Sequence, residues 1–189
     1  MILAWAAAGI TGILVVWIVI IYNRFIFLKN QVESAWSQID VQLKRRYDLI
    51  PNLVSAVRGY MQHEKDLIET VVNARAAAMT AARLKERAAA EAGISDSLGS
   101  LFAVMEQYPI LRASENVMHL QEELVTAENR IAFARQLYND LVANYMTMLG
   151  RFPDMFIASL FAFRPFEYFR ASASDRLLPD MPAGSRKSV

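Results

Sequence analysis

The 189-residue sequence contains no cysteine, only two histidines, and no charged side chain before Arg24. The missing cysteine excludes disulfides and thiolate metal sites, while leaving the compartment open. Metal chemistry is short of nitrogen ligands. His63-Glu64 lacks the second histidine of an H-E-x-x-H zinc helix, and no glutamate has a histidine three residues later, as di-iron bundles require. His63 and His119 are therefore expected at the surface or among polar bundle positions. There is no glycine-rich phosphate loop, nucleophile elbow or kinase signature. A Ser-His-acid site is invisible at this level because its members need not be sequence neighbours, and nothing points to one. The chain reads as a non-enzyme, with no catalytic residue, cofactor or metal expected.

Glycine (7) and proline (6) are too sparse for the many turns of a β-rich fold. Pro51, Pro109 and Pro153 divide the chain at wide intervals, with helix-forming residues between them. The expected class is all-α. A formal net charge of +1, with basic and acidic residues interleaved, gives no electrostatic case for nucleic acid as a partner.

What is abundant at the N-terminus is apolar surface. Thr11 is the single plainly polar side chain from Ile2 to Ile21, and a helix from Ile2 to Tyr22 would be about 31 Å long, near the ~30 Å hydrocarbon thickness of a bilayer. A cleaved signal peptide would want a basic start, a shorter apolar run and a small-residue cleavage site. The run has none of these and ends at Ile21-Tyr22-Asn23-Arg24, so residues 1–23 are expected to be a retained single-pass transmembrane anchor. Ala8 and Gly12 form a small-xxx-small pair that either permits helix pairing or reflects the ordinary composition of spans. Arg24 and Lys29 follow the span, then Lys44, Arg45 and Arg46, and by the positive-inside rule the remainder faces the cytoplasm.

Residues 24–170 are expected to form one antiparallel bundle of four-helix type, and 171–189 a flexible tail. The clearest register runs through Val117, Leu120, Leu124, Ala127, Ile131, Ala134, Tyr138, Leu141, Tyr145 and Met148, the spacing of a helix packed in a left-handed coiled-coil-like bundle. Upstream, Leu28, Val32, Ala35 or Trp36, Ile39 and Leu43 continue out of the span. After Pro51 the stripe resumes at Leu53, Val57, Tyr60, Leu67, Val71, Ala74, Ala78 and Ala81, with Glu64 the odd polar member. Asp48 is expected to cap a new helix after a turn at Pro51, one long kinked helix being the alternative. Ten of the nineteen residues in Ala74–Ala92 are alanine, which predicts a thin helix end projecting from the core. Gly93–Ser100 is expected to be the main flexible connection, followed by a short helix at Leu101–Gln107. The Phe-rich stretch Met155–Phe169 is read as a cap over the bundle end, with Phe156 and Phe161 buried. Phe166, Tyr168 and Phe169 are then expected to be an exposed membrane or partner patch.

The stretch Asn30–Glu64, NQVESAWSQIDVQLKRRYDLIPNLVSAVRGYMQHE, closely resembles the signature of the LemA family of bacterial inner-membrane proteins. Most characteristic are AWSQIDVQL (35–43) and RRYDLIPNLV (45–54). Further matches are Tyr108-Pro109, Leu120–Leu124, Glu128-Asn129-Arg130-Ile131, Ala134-Arg135 with Tyr138-Asn139, and Phe152-Pro153. The resemblance implies an N-terminal anchor and a cytosol-facing antiparallel helical bundle, but no activity and no agreed catalytic residues. It also implies two associations: some members with an HtpX-type membrane metalloprotease, and one branch with magnetosome membranes.

For a packing code the signature is unusually polar. Trp36, Asp40, Arg45, Arg46, Asp48 and Asn52 are expected around a helix junction. Glu128, Asn129, Arg130, Arg135, Tyr138 and Asn139 lie on the long later helix. They could form a buried network that fixes register, with Asp40 meeting Arg130 or Arg135, or a surface for a partner. The function expected is a scaffold or adaptor of the bacterial inner membrane, organising membrane-protein partners or the bilayer, as a homo-oligomer or with an HtpX-type protease. The alternatives are an envelope-signalling receptor and an unrecognised hydrolase.

Overall fold

The computed structural model describes residues 1–170, and every regular element among them is a helix. In order these are α1 (Ile2–Val57), α2 (Lys65–Thr80), α3 (Leu84–Met105), α4 (Pro109–Arg112), α5 (Glu115–Gly150) and α6 (Asp154–Leu160). The all-α class expected from the scarcity of glycine and proline is the class found. The expected tail, 171–189, lies outside the described residues. The chain divides into two compact units, Met1–Leu53 with Met118–Tyr168, and Val54–Val117 with Phe169 and Arg170.

In the first unit, α1 changes environment along its length. No side chain is buried before Ile21, and Ile2, Leu3, Trp5, Ile10, Ile13, Val16 and Ile20 are each 60% exposed or more. So continuous an apolar surface is unstable in water, and this stretch is long and apolar enough to cross a membrane. Burial begins at Ile21 and Phe25 and recurs at Val32, Ala35, Ile39, Leu43, Arg46, Ile50 and Leu53, the three–four spacing of one helix face. On α5, nine of the ten register positions named above are buried. At the tenth, Val142 is buried and Leu141 half-buried. A strict seven-residue repeat drifts by about 20° per heptad on an ideal helix, so both 141 and 142 come near the seam.

The expected turn at Pro51 does not occur: α1 runs through it to Val57. An interior proline removes one backbone bond and crowds the carbonyl four residues earlier, at a cost of about 3 kcal/mol. Ile50, Leu53, Val54 and Val57 flank it and are all buried, each contributing on the order of 1.5–3 kcal/mol, which outweighs that cost. Asp48 and Asn52 therefore lie on the exposed side of an uninterrupted helix, and no junction forms there.

In the second unit, the chain leaves α1 through residues 58–64, and α2 and α3 pack on each other as a hairpin joined at Ala81-Ala82-Arg83. One expectation fails here. Gly93–Ser100 is not a connection but the middle of α3, held by the buried stripe Ile94, Leu98, Leu101 and Met105. Its serines do not break the helix because each hydroxyl donates back to a carbonyl of the preceding turn: Ser95 to Glu91, Ser97 to Ile94 and Ser100 to Asp96. The Ala-rich stretch ends α2 and begins α3, and of its alanines Ala78 and Ala88, on either side of the connection, are buried.

Candidate functional site

The residues of the family-like signature converge on the face between α1 and α5. Four contacts fix its geometry. Arg45 pairs with Glu123 and Arg46 with Glu128. The Trp36 ring lies edge-on to Tyr138 at 5.4 Å between centroids, and Phe25 edge-on to Tyr145 at 6.0 Å. As α1 positions fall from 46 to 25 their α5 partners rise from 128 to 145, so the helices are antiparallel. Arg46 is 1% exposed, whereas its partner Glu128 is half-open to solvent. The guanidinium supplies the buried end of the pair, and its flat fork suits a carboxylate better than an ammonium would. The Arg45 hydrogen bond holds the Glu123 carboxyl below the usual carboxylate range, helped by the charges of Arg45, His119 and Arg130 and opposed by desolvation.

Arg45–Glu123 and Arg46–Glu128 are the ion pairs that join α1 to α5 on this face. Asp40, Trp36, Arg135 and Asn139 are half-buried beside it, while Asn129 and Arg130 are exposed. Tyr138 is buried, and its hydroxyl donates to the Glu167 carbonyl at 2.8 Å, tying the post-α6 segment to α5. Burial raises the Tyr138 phenol above its ordinary value, with the Glu167 charge adding to the shift, and burial alone raises Tyr145.

The Phe-rich segment reverses its expected roles. Phe156 and Phe161 are 60% and 47% exposed rather than buried, Phe169 is buried, and Phe166 and Tyr168 are half-buried. The cause is the pairing of aromatics after α6. Phe163 stacks on Phe25 at 4.7 Å and Phe166 meets Tyr145 at 5.1 Å, so these two rings cover the helix pair while α6 turns its single phenylalanine, Phe156, outward.

Beside the ion pairs lies an open groove of about 790 Å³, in which Gln38, Val41 and Gln42 of α1 face Arg130, Phe133 and Leu137 of α5. Phe133 is 79% exposed and Val41 64%, and the buried Gln42 Oε1 has no hydrogen-bond partner among the described residues. Sequence reasoning missed all five of these apolar and amide positions, although the signal was present: Phe133 falls between the core positions Ile131 and Ala134, off the buried stripe. Among the described residues no cluster of three or more His, Cys, Asp or Glu forms a metal site.

The LemA family model matches residues 35–181. The chain is also similar to magnetosome protein MamQ of Magnetospirillum gryphiswaldense, with 24% identity over 174 residues covering 78% of this chain and 64% of that one. Magnetosome proteins MamQ 1 and MamQ 2 of Paramagnetospirillum magneticum are each 25% identical over 175 residues, covering 79% of this chain and 64% of theirs. The chain thus spans under two thirds of the length of these curated relatives.

Proposed function

The chain belongs to the LemA family and is a membrane-associated helical protein, and from that premise we propose that it is a non-enzymatic scaffold or adaptor that receives a protein partner in the α1–α5 groove. The groove carries this reading. Exposed phenylalanine, valine and leucine side chains on a rigid helix pair, rimmed by amides and one arginine, are what a docked helix buries. The buried, unpartnered Gln42 Oε1 is an acceptor awaiting a donor from that partner. The occupants proposed are an HtpX-type membrane protease, by association within the family, or a second copy of the chain. The bacterial inner membrane is the proposed location, with the helices in the cytoplasm, because Arg24 and Lys29 follow the span.

The test is the native size of the complex extracted from its own membrane in mild detergent. Wild-type protein is expected to migrate with a partner, and the double variant Phe133→Asp, Leu137→Asp to lose that partner while keeping its helix content. A wild-type protein that is monomeric and alone, or a partner indifferent to the variant, refutes the proposal.

A further inference from the structure

The exposed apolar surface of the first unit does not end with the span. On α6 and its flanks, Phe152, Phe156 and Leu160 recur every fourth residue and are 74%, 60% and 71% exposed, joined by Met155 and Phe161. The opposite face of the short helix is already buried at Asp154, Ile157 and Ala158, with Arg151 holding the Asp154 carboxylate. So α6 is apolar on both sides, and its outer side is a contiguous patch that water disfavours.

Its position along α1 is fixed by rings. Phe161 lies 4.8 Å from Tyr22 and Phe163 5.8 Å from it, centroid to centroid. Tyr22 is the last residue of the apolar run, one residue past the point where burial begins and two before the first charge. At ~1.5 Å per residue those markers fall within about 5 Å of one another along the helix, comparable to the depth of one interfacial layer. If Ile2–Tyr22 spans a bilayer, the Phe152–Phe161 patch is held at headgroup level. Next to it, a cavity of about 440 Å³ is lined by Tyr22, Lys29, Glu33, Phe163, Arg164 and Phe166. Lys29 and Glu33 approach to 3.8 Å with both side chains about half exposed, so that among the described residues Arg164 carries the cavity's remaining charge, with Arg24 exposed on the same helix as Lys29.

We propose that α6 and its flanking phenylalanines form a collar seated in the headgroup layer of the bilayer, and that Lys29 and Arg164 receive the phosphate of an anionic phospholipid in the adjoining cavity. This rests on the membrane-span reading. The collar holds the α1–α5 pair at a set height and tilt, which a single spanning helix alone does not fix, since tilt is set by interfacial anchors and packing. The aromatic rings supply the anchor, and the basic groups add attraction to negatively charged lipid.

Because the chain has no cysteine, a single one can be introduced without background labelling. The full chain carrying an environment-sensitive fluorophore at Phe156→Cys, Ile13→Cys or Glu122→Cys is reconstituted into vesicles of phosphatidylcholine with phosphatidylglycerol. Glu122 adjoins the Arg45–Glu123 pair, some 35 Å along α1 from Tyr22 at ~1.5 Å per residue. The Phe156 probe is expected to be quenched about threefold more strongly than the Glu122 probe by lipid spin-labelled near the headgroup. The Ile13 probe should be quenched best by lipid labelled deep in the chain. A deep Ile13 probe with Phe156 as accessible to aqueous iodide as Glu122 overturns the collar alone. An Ile13 probe that is itself aqueous overturns the span reading and the collar with it. A Phe156 probe shielded from both lipid and iodide means a protein contact and also overturns the collar. For the cavity, the preference for spin-labelled phosphatidylglycerol over phosphatidylcholine should fall about fivefold for each of Lys29→Gln and Arg164→Gln, and rise for Glu33→Gln. A preference that does not move in any of the three refutes the headgroup assignment.

Discussion

Arg46 of α1 is sealed from solvent and its guanidinium is held by Glu128 of α5, a carboxylate that is itself half exposed. The two ends of this pair are therefore not equivalent. Removing Glu128 takes a carboxylate partner from a guanidinium that is sealed from solvent, whereas removing Arg46 leaves a carboxylate that water can reach. Glu128→Ala is expected to cost on the order of 3 kcal/mol, the lower end for breaking a buried pair, and Arg46→Met about 1 kcal/mol, since methionine refills much of the volume. Thermal unfolding of the full chain in detergent, followed by helix content, should show a melting temperature lowered by several degrees more for Glu128→Ala. Equal losses would mean that the charge on Arg46 is not what the interface depends on.

That pair also shows what the sequence could and could not tell. Periodicity located the buried face of α5 almost residue for residue, because a helix buries side chains at fixed angular intervals and Val117 to Met148 repeats them over ten positions. It could not single out Glu128 as the partner of Arg46, since that depends on register between segments some eighty residues apart. Pro51 and Gly93–Ser100 were misjudged for a common reason: local propensity opposed the helix, and burial of Ile50 and Leu53, or of Ile94 and Leu98, overrode it. Phe156 and Phe169 exchanged roles because the order in which aromatics fill a surface is decided by ring contacts such as Phe25–Phe163, which leave no periodic trace.

Alkaline pH should loosen the α1–α5 pair. Tyr138 and Tyr145 have phenol pKa values raised in the folded protein, mainly by burial. The folded state therefore keeps its protons where the unfolded chain has begun to lose them. The stability this contributes is complete below the unfolded value of about 10 and disappears as pH rises from there through the folded values. Denaturant midpoints measured between pH 9 and 12 should fall for the wild type and fall less for Tyr145→Phe. Tyr138→Phe should be similarly resistant to alkali but weaker at neutral pH by about 1 kcal/mol, because its hydroxyl no longer bonds the Glu167 carbonyl. A wild-type midpoint flat across that range would contradict the assignment.

Ala162 holds the left-handed conformation, with φ of 53°, immediately after α6. The cap is of the Schellman type: the Phe163 N–H donates to the Ala158 carbonyl at 2.9 Å and the Ala162 N–H to Ser159 at 3.2 Å. Glycine is preferred at this position because a Cβ in that conformation crowds the following carbonyl, at roughly 1–2 kcal/mol. Glycine also loses more freedom on folding, by about 0.5–1 kcal/mol. Ala162→Gly should therefore stabilise the protein by about 0.5–1 kcal/mol. Chemical denaturation in detergent would detect this as a higher midpoint with an unchanged slope, and a lower midpoint would show that the alanine methyl is needed where it is.

Gln42 links stability to the proposed partner. Its Oε1 is buried at the edge of the groove with no hydrogen-bond partner, and leaving a buried acceptor unmet costs about 1–3 kcal/mol. Methionine has nearly the same length and volume and no acceptor to satisfy. Gln42→Met is therefore expected to raise stability by about 1 kcal/mol, or about 2–4 °C in melting temperature for a chain of this size. The same change should weaken the complex in native membranes, because a donor on the incoming helix would then meet a thioether. Opposite signs in the two measurements are the signature of an acceptor kept for a partner. If both fall, the amide is structural, and if stability rises while the complex is untouched, the partner does not read Gln42.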